Sequence, residues 1–454
     1  MRRSGHLQLK LRQGVETRAP AHLDVLDGAR RASGSADGSG DVDRAILRQT
    51  TGMRARRVFH AGAHVNRIGQ RDADYNDLET GLGLSRVLCI ELAEPERAAD
   101  VVKALRDADA VDWVRAEPLS TVPPMVEDRD YSTADPRAPF DHVGALAALA
   151  VEPGSSAIAV AVIDTGVALE HEEFNGRLVA GYDTVDLGMG QITEGISLVG
   201  DSLGRDFCAR DETGHGSHVA GIIGARGLSM THGVGGACRI VPVRALAAAR
   251  AGEGPVFGVG GLSDIDAAIK AAVDLGAKVL NMSFGTARDD LDPLAPPPHT
   301  DAIAYATARN AIPVAAMGNS GLNEDYFPAA LPQCIAVGSM ALDGLVSDFS
   351  TRGPHVALCA PGEAVHSTKL HGYGRSTGTS HAAPFVSGAA ALLAARARRR
   401  GHDLTTEEAR QALCYSAENH GRQPDEDTGW GMLNIPAALA RLDTIIPAYE
   451  EVSP

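Results

Sequence analysis

The chain has 454 residues and is 44% hydrophobic, enough to bury a full-sized core and leave material for a second, smaller domain. Its formal charge of -16 argues against a nucleic-acid partner, because phosphate binding calls for a basic face. The cluster Arg396, Arg398, Arg399 and Arg400 does not reverse this, since at the end of a helical run it complements the helix dipole.

No stretch reaches the ~18 consecutive apolar residues of a membrane span. The basic start MRRSGHLQLKLRQGVETR has no apolar run behind it, so no classical signal peptide is read. The expected location is the cytoplasm by default, or the outside by a leaderless route. Cys89, Cys208, Cys238, Cys334, Cys359 and Cys414 are scattered without the paired spacing of a zinc site and are expected to be reduced and buried.

In chain order, residues 1–55 contain RRASGSADGSGDVDR, rich in Gly, Ser and charge, and predict disorder. Residues 56–118 read as a small α+β domain: strand Val87 to Glu91, helix over about Glu96 to Asp107, strand Val111 to Arg115. The polar, proline-bearing stretch STVPPMVEDRDYSTADPRAP marks a linker over residues 119–138, either a cleavable one or a domain boundary. A larger domain, residues 139–454, follows. From Ser156 the apolar strands AIAVAVI, IVPVRAL, KVLNMSF, IPVAAM and CIAVGS alternate with helical runs, the pattern of a mainly parallel sheet covered on both faces. The helices SDIDAAIKAAVDLG and HTDAIAYATARN end at Gly276 and Asn310, and TTEEARQALCYSA opens with a capping box from Thr405 to Glu408.

In such a sheet, functional groups collect beyond the carboxyl ends of the strands. Strand IAVAVI ends in Asp164, a costly place for a carboxylate unless it is hydrogen-bonded, although in isolation a turn-forming Asp is the better reading. In DETGHGSHVAGIIGA, glycines bracket His215 and would let another backbone approach the imidazole, while His218 reads as a structural histidine one turn on. In GTSHAAPFVSG, Ser380 stands where a loop becomes a helix, which suits either a nucleophile beside unpaired N–H groups or a simple N-cap.

Taken together and in this order, VAVIDTGV, GHGSHVAG and GTSHAAP resemble the three signature segments of the subtilisin-like serine proteases, the peptidase S8 family, over roughly Pro136 to Leu442. VLNMSFG, AAMGNSG and GWGMLNIPAAL resemble further family segments in sequence. The resemblance implies a three-layer α/β/α domain and a serine endopeptidase in which Asp164, His215 and Ser380 form the triad and Asn319 the oxyanion donor. It also implies an extended substrate between Ser283, Phe284 and Gly285 on one side and Ala316, Met317 and Gly318 on the other, with Gly258 and Gly260 supplying an edge strand.

The 56–118 unit resembles the I9-type propeptide, a ferredoxin-like prodomain. Its presence implies a zymogen whose N-terminal domain acts as intramolecular chaperone and inhibitor; a permanently attached regulatory domain is the alternative. Partners are then protein or peptide substrates. No cofactor is expected for the chemistry. The family resemblance leaves room for a structural calcium, but the insertion from Asp183 to Glu212 lacks EF-hand spacing and reads as a solvated loop. Departures from the usual pattern are His381, Ala382 and Ala383 after the nucleophile and Ser217 after the histidine. The alternative function is a catalytically silent scaffold that binds extended peptides.

Overall fold

The alternation in HLQLKL sets the first element. Leu7, Leu9 and Leu11 are fully buried on one side, and Gln8 and Lys10 point to the other, which makes a strand, β1 (Arg2–Leu11). The computed structural model describes residues 1–15, 17, 19, 42, 45, 48–51, 53–62, 75–122, 135–203, 205–418 and 423–446. The expectation of disorder over residues 1–55 therefore fails at its start: the Gly/Ser-rich run outweighed a short period-two signal that precedes it. Most of that run lies outside the described residues.

Three more strands join β1: β2 (Met53–Arg57), β3 (Val87–Leu92) and β4 (Val111–Val122), with helix α1 (Ala98–Arg106) between the last two. The order is β2-β3-β1-β4 with antiparallel pairing throughout. The strand expected to stop at Arg115 runs on to Val122, so the first residues of the expected linker are strand; residues 123–134 lie outside the described residues.

The larger domain contributes, in chain order, β5 (Ala159–Asp164), β6 (Tyr182–Asp183), β7 (Gln191–Thr193), β8 (Ile196–Leu198), helix α2 (His215–Gly224), β9 (Arg239–Arg244), β10 (Ala247–Ala251) and β11 (Val256–Gly261). Then come α3 (Leu262–Asp274), β12 (Val279–Met282), α4 (Thr300–Ala308), β13 (Ile312–Ala316), β14 (Ile335–Met340), β15 (Val356–Pro361) and α5 (Thr379–Arg399). A parallel seven-stranded sheet has the order β15-β14-β13-β12-β5-β9-β6. Alternation splits each strand between two cores. Val160 and Val162 pack with α2 and α5, while Ala161 and Ile163 pack with α3 and α4. Helices on both faces make the three layers, and β5 delivers Asp164 at its carboxyl end. The capping box at Thr405 and Glu408 forms with both reciprocal bonds.

A second sheet, antiparallel and eight-stranded, joins the two parts of the molecule: β4 pairs with β11, which continues through β10 and β8 to β7. Strands β7 and β8 come from the insertion read as a solvated loop. That reading is corrected here, because Asp183, Val185, Leu187 and Ile192 are all buried. Its aliphatic side chains recur between the acidic ones, and the acidic ones find cations: Asp183 accepts from Arg244 at 2.6 Å.

The N-terminal unit sits on α3 and α4 through charged and polar side chains that burial forces to find partners. Arg56 meets Asp264 at 2.8 Å, Gln8 donates to Asp266 at 2.8 Å, and Lys10 meets Asp301 at 2.8 Å. Lys270 is held between Glu79 and Asp274, at 2.7 Å from each. Burial alone would raise the Asp274 pKa, but the His60 hydrogen bond and the Lys270 charge outweigh it and hold the carboxyl at about 2. A depressed carboxyl contributes stability above its unfolded pKa of about 3.9 and loses it as pH falls through the folded value.

Candidate active site

Asp164 is fully buried and survives there because its Oδ1 accepts two hydrogen bonds, from the Thr165 N–H at 2.7 Å and His215 Nδ1 at 2.8 Å. His215 opens α2, and Gly216 lets that helix start press against the strand end: a Cβ there would lie 2.1 Å from the Gly166 carbonyl oxygen. Gly214, at φ +94°, supplies the left-handed turn into the helix. Burial opposes a charge on His215, but Asp164, through its charge and hydrogen bond, with Asp211 behind it, raises the imidazole pKa above its ordinary value. His215 Nε2 is buried and has no partner, so the ring's free nitrogen is available to a third group.

Ser380 lies in the first turn of α5, and that helix packs against α2, which His215 opens. Its Oγ donates to the Ser283 carbonyl at 3.0 Å rather than to His215. In turn Ser283 Oγ donates to the Ser380 carbonyl at 2.8 Å, Asn281 donates to Ser283 Oγ at 2.9 Å, and Ser387 donates to Asn281 at 2.8 Å. This buried chain fixes the start of α5 against β12.

Asn319 is exposed, and its orientation is set from behind. Its Oδ1 accepts from the Thr379 N–H and from Thr379 Oγ1, both at 2.9 Å. With the oxygen committed, the amide nitrogen faces the other way, near Gly378, where an added Cβ would come within 3.2 Å of it. Gly378 has φ +149°.

Of the other residues singled out by sequence, Gly258 and Gly260 pair with Val122 and Ser120 of β4, and Gly285 bridges Thr121. The end of β4 thus lies between the expected edge strand and Gly285 of one expected wall, and is not paired with Ala316, Met317 or Gly318. Ser283 turns its side chain to the α5 backbone, and Phe284 is buried against the edge of the His299 ring. Ala316 and Met317 are buried, and Gly318 contacts Thr379 Oγ1 through both its N–H and its carbonyl. His218 donates from Nε2 toward the Val365 and Gly374 carbonyls at 3.0 and 3.3 Å, in keeping with the structural role expected of it.

Asp211 was missed. It sits in the acidic run, yet it is buried and accepts from Thr165 Oγ1 at 2.8 Å and from the N–H groups of Thr213, Gly214 and Ser217, each at 2.9 Å. It ties the loop after Asp164 to the start of α2. The available signal was an acidic residue four positions before a Gly-flanked histidine.

Three imidazoles share this region. The His381 ring is 5.6 Å from that of His215 and 4.5 Å from that of His218. Burial, then the neighbouring histidines, push the His381 pKa well below its ordinary value, and burial with the His215 charge takes His218 down to about 3. Only the imidazole with a carboxylate at its back is arranged to take a proton. Among the described residues no group of three or more His, Cys, Asp or Glu side chains is placed to hold a metal ion.

The chain is similar to known proteins. Residues 155–431 match the peptidase S8 description, Subtilase family. The chain is 36% identical over 276 residues to the thermophilic serine proteinase of Bacillus sp. (strain AK1), covering 59% of this chain and 58% of that protein. It is 32% identical over 242 residues to thermitase of Thermoactinomyces vulgaris, covering 53% and 75%. Among solved structures, it is similar to the prenylagaramide maturation protease PagA, with a TM-score of 0.51 and 29% identity over 66% of this chain and 98% of that one. A protease from Pseudoalteromonas arctica gives a TM-score of 0.55 at 27% identity over 66% and 94%. With a buried carboxylate-imidazole pair on a parallel sheet of that fold and the family match spanning all four segments that carry the site, the chain belongs to the subtilase family of serine peptidases.

Proposed function

We propose that the protein is a serine endopeptidase made as a zymogen. The observation that carries this reading is the Asp164–His215 pair at 2.8 Å with Nε2 left free beside the helix that bears Ser380. Ser380 attacks the scissile carbonyl while His215 takes its proton, and His215 then protonates the leaving amine. Asp164 holds the tautomer and stabilises the imidazolium. The developing oxyanion is met by the Asn319 amide and the Ser380 N–H. No cofactor takes part in these steps. A silent peptide-binding scaffold is not supported, since it would have no use for an amide oriented by Thr379.

The N-terminal unit acts on this reading as the chain's own inhibitor. Its strand order and antiparallel pairing support a ferredoxin-like prodomain, and its last strand fills the cleft between β11 and Gly285 by β-augmentation. Cleavage between about Ser120 and Tyr131 releases it. Six unpaired cysteines, five of them buried, support a reducing place of work. No helix among the described residues is long and apolar enough to cross a membrane.

Incubating the full-length chain with casein tests the proposal: new peptides are expected, together with a protease whose N-terminal sequence begins after Ser120. A chain that yields no peptides and keeps Met1 would remove both parts. Asn319→Ala is expected to lower kcat by about 10² to 10³ with KM little changed, and an unchanged kcat would remove the oxyanion assignment.

A further inference from the structure

An extended peptide lying in an open cleft shows alternate side chains to the body of the enzyme and to solvent. In this molecule one member of the second set is covered as well. Ser120 and Val122 face the body: a Cβ on Gly258 would lie 2.5 Å from Val122 Cγ2 and 2.6 Å from Thr165 Cγ2, and Ser120 Oγ lies 2.7 Å from Thr286 Oγ1. Leu119 is on the other face, with Thr121 and the residues paired across from Thr121, Val259 and then Ala247. It is nonetheless only 3% exposed.

What covers it is the insertion. Leu119 shares one apolar cluster with Val185, Leu187, Ile192 and Ile196, all buried, on a floor of Ala247, Ala249 and Val259. The hairpin β7–β8 is anchored to that floor by the pairing of Leu198 with Ala249 and of Ile196 with Ala251. Thr121, on the same face, is only partly buried, so the covering is local to the Leu119 position.

We propose that residues 185–198 build an additional substrate subsite, one that takes an aliphatic side chain at the place Leu119 occupies, three residues before Val122. The proposal rests on the endopeptidase reading and on the tail of β4 marking the path of substrate. Its chemistry is selective for shape and polarity. An aliphatic group loses only water on entering, whereas a carboxylate would be buried without a cation among these side chains. The insertion thereby extends recognition beyond the two strand walls, and it selects for polypeptides with Leu, Ile or Val at that position.

The test uses the full-length protein and casein as substrate, with a synthetic peptide of residues 115–122 as product-like inhibitor. The natural peptide is expected to inhibit about tenfold better than one with Asp in place of Leu119, and Ile192→Asp in the protein is expected to erase the difference. Should the attached tail keep the cleft shut, the comparison is made in cis: Leu119→Asp then raises casein hydrolysis about tenfold. Equal inhibition by the two peptides, inhibition by neither, or an unchanged rate in the cis variant overturns the subsite while casein hydrolysis or fluorophosphonate labelling of Ser380 keeps the endopeptidase reading standing. Absence of both hydrolysis and labelling overturns the endopeptidase reading, and the subsite falls with it.

Discussion

Ser380→Ala is expected to lower kcat on a fluorogenic peptide by about 10⁶, the largest effect of any single substitution in this chain. The size follows from the nucleophile's being the group through which the others act: without Oγ there is no acyl-enzyme, His215 has no hydroxyl proton to take, and Asp164 has no imidazolium to stabilise. The Asn319 amide and the bound peptide's main-chain hydrogen bonds remain, so a residual rate above that in water survives. The fold is expected to be unchanged, because Oγ is lost from a single hydrogen bond, to the Ser283 carbonyl, while the Ser283–Asn281–Ser387 chain is kept. Matching thermal melts for the two proteins would separate loss of chemistry from loss of structure. A decrease of less than about 10³ would mean that another group supplies the nucleophile.

Asp164→Asn is expected to lower kcat by about 10⁴. The amide is nearly isosteric, but it offers an N–H where the carboxylate offers an acceptor, and it turns the imidazole toward the wrong tautomer. The pH profile gives a second, independent readout. His215 must be neutral to act as base, so activity rises with pH through its pKa. In the wild type that limb is expected above an ordinary imidazole value of about 6.5, because Asp164 outweighs the effect of burial. In Asp164→Asn the charge is gone while burial persists, and the limb is expected to move to lower pH. The same shift has a stability counterpart of defined sign. A folded pKa raised above the unfolded one makes the pair stabilising below about 6.5, and that contribution is lost as pH rises through the folded value. A limb at the same pH in both proteins would show that Asp164 does not govern His215.

Asp164, at the end of a buried apolar strand, reads alone as a turn former and was legible as a site residue only together with the histidine and serine segments. His215, flanked by glycines, and Ser380, two residues after Gly378 where a loop becomes a helix, were legible through their combination and order with Asp164 rather than one by one. The parallel sheet followed from apolar strands alternating with helices, and the two cores from the alternation within each strand. The missing parts depend on contacts between distant residues. Asp211 looks like one more acid in an acidic run until the backbone of Thr213, Gly214 and Ser217 is seen to converge on it. Strand β1 is a short alternation followed by a long Gly/Ser-rich stretch, and its place at the middle of a sheet is set by strands 76 and more residues away. The insertion reads as acidic and soluble because its charges outnumber its aliphatic residues. Only its pairing with β10 shows that the aliphatic ones are gathered on one side, around Leu119.

The account's central claim is that Asp164, His215 and Ser380 work as one unit. The most direct measurement is peptide-mapped mass spectrometry of the protein after treatment with a fluorophosphonate, which reacts with an activated serine and forms a stable adduct. The prediction is a single adduct on Ser380, absent from Ser380→Ala and formed far more slowly in His215→Ala. No adduct on the native chain, or one that forms at the same rate without the imidazole, would contradict it.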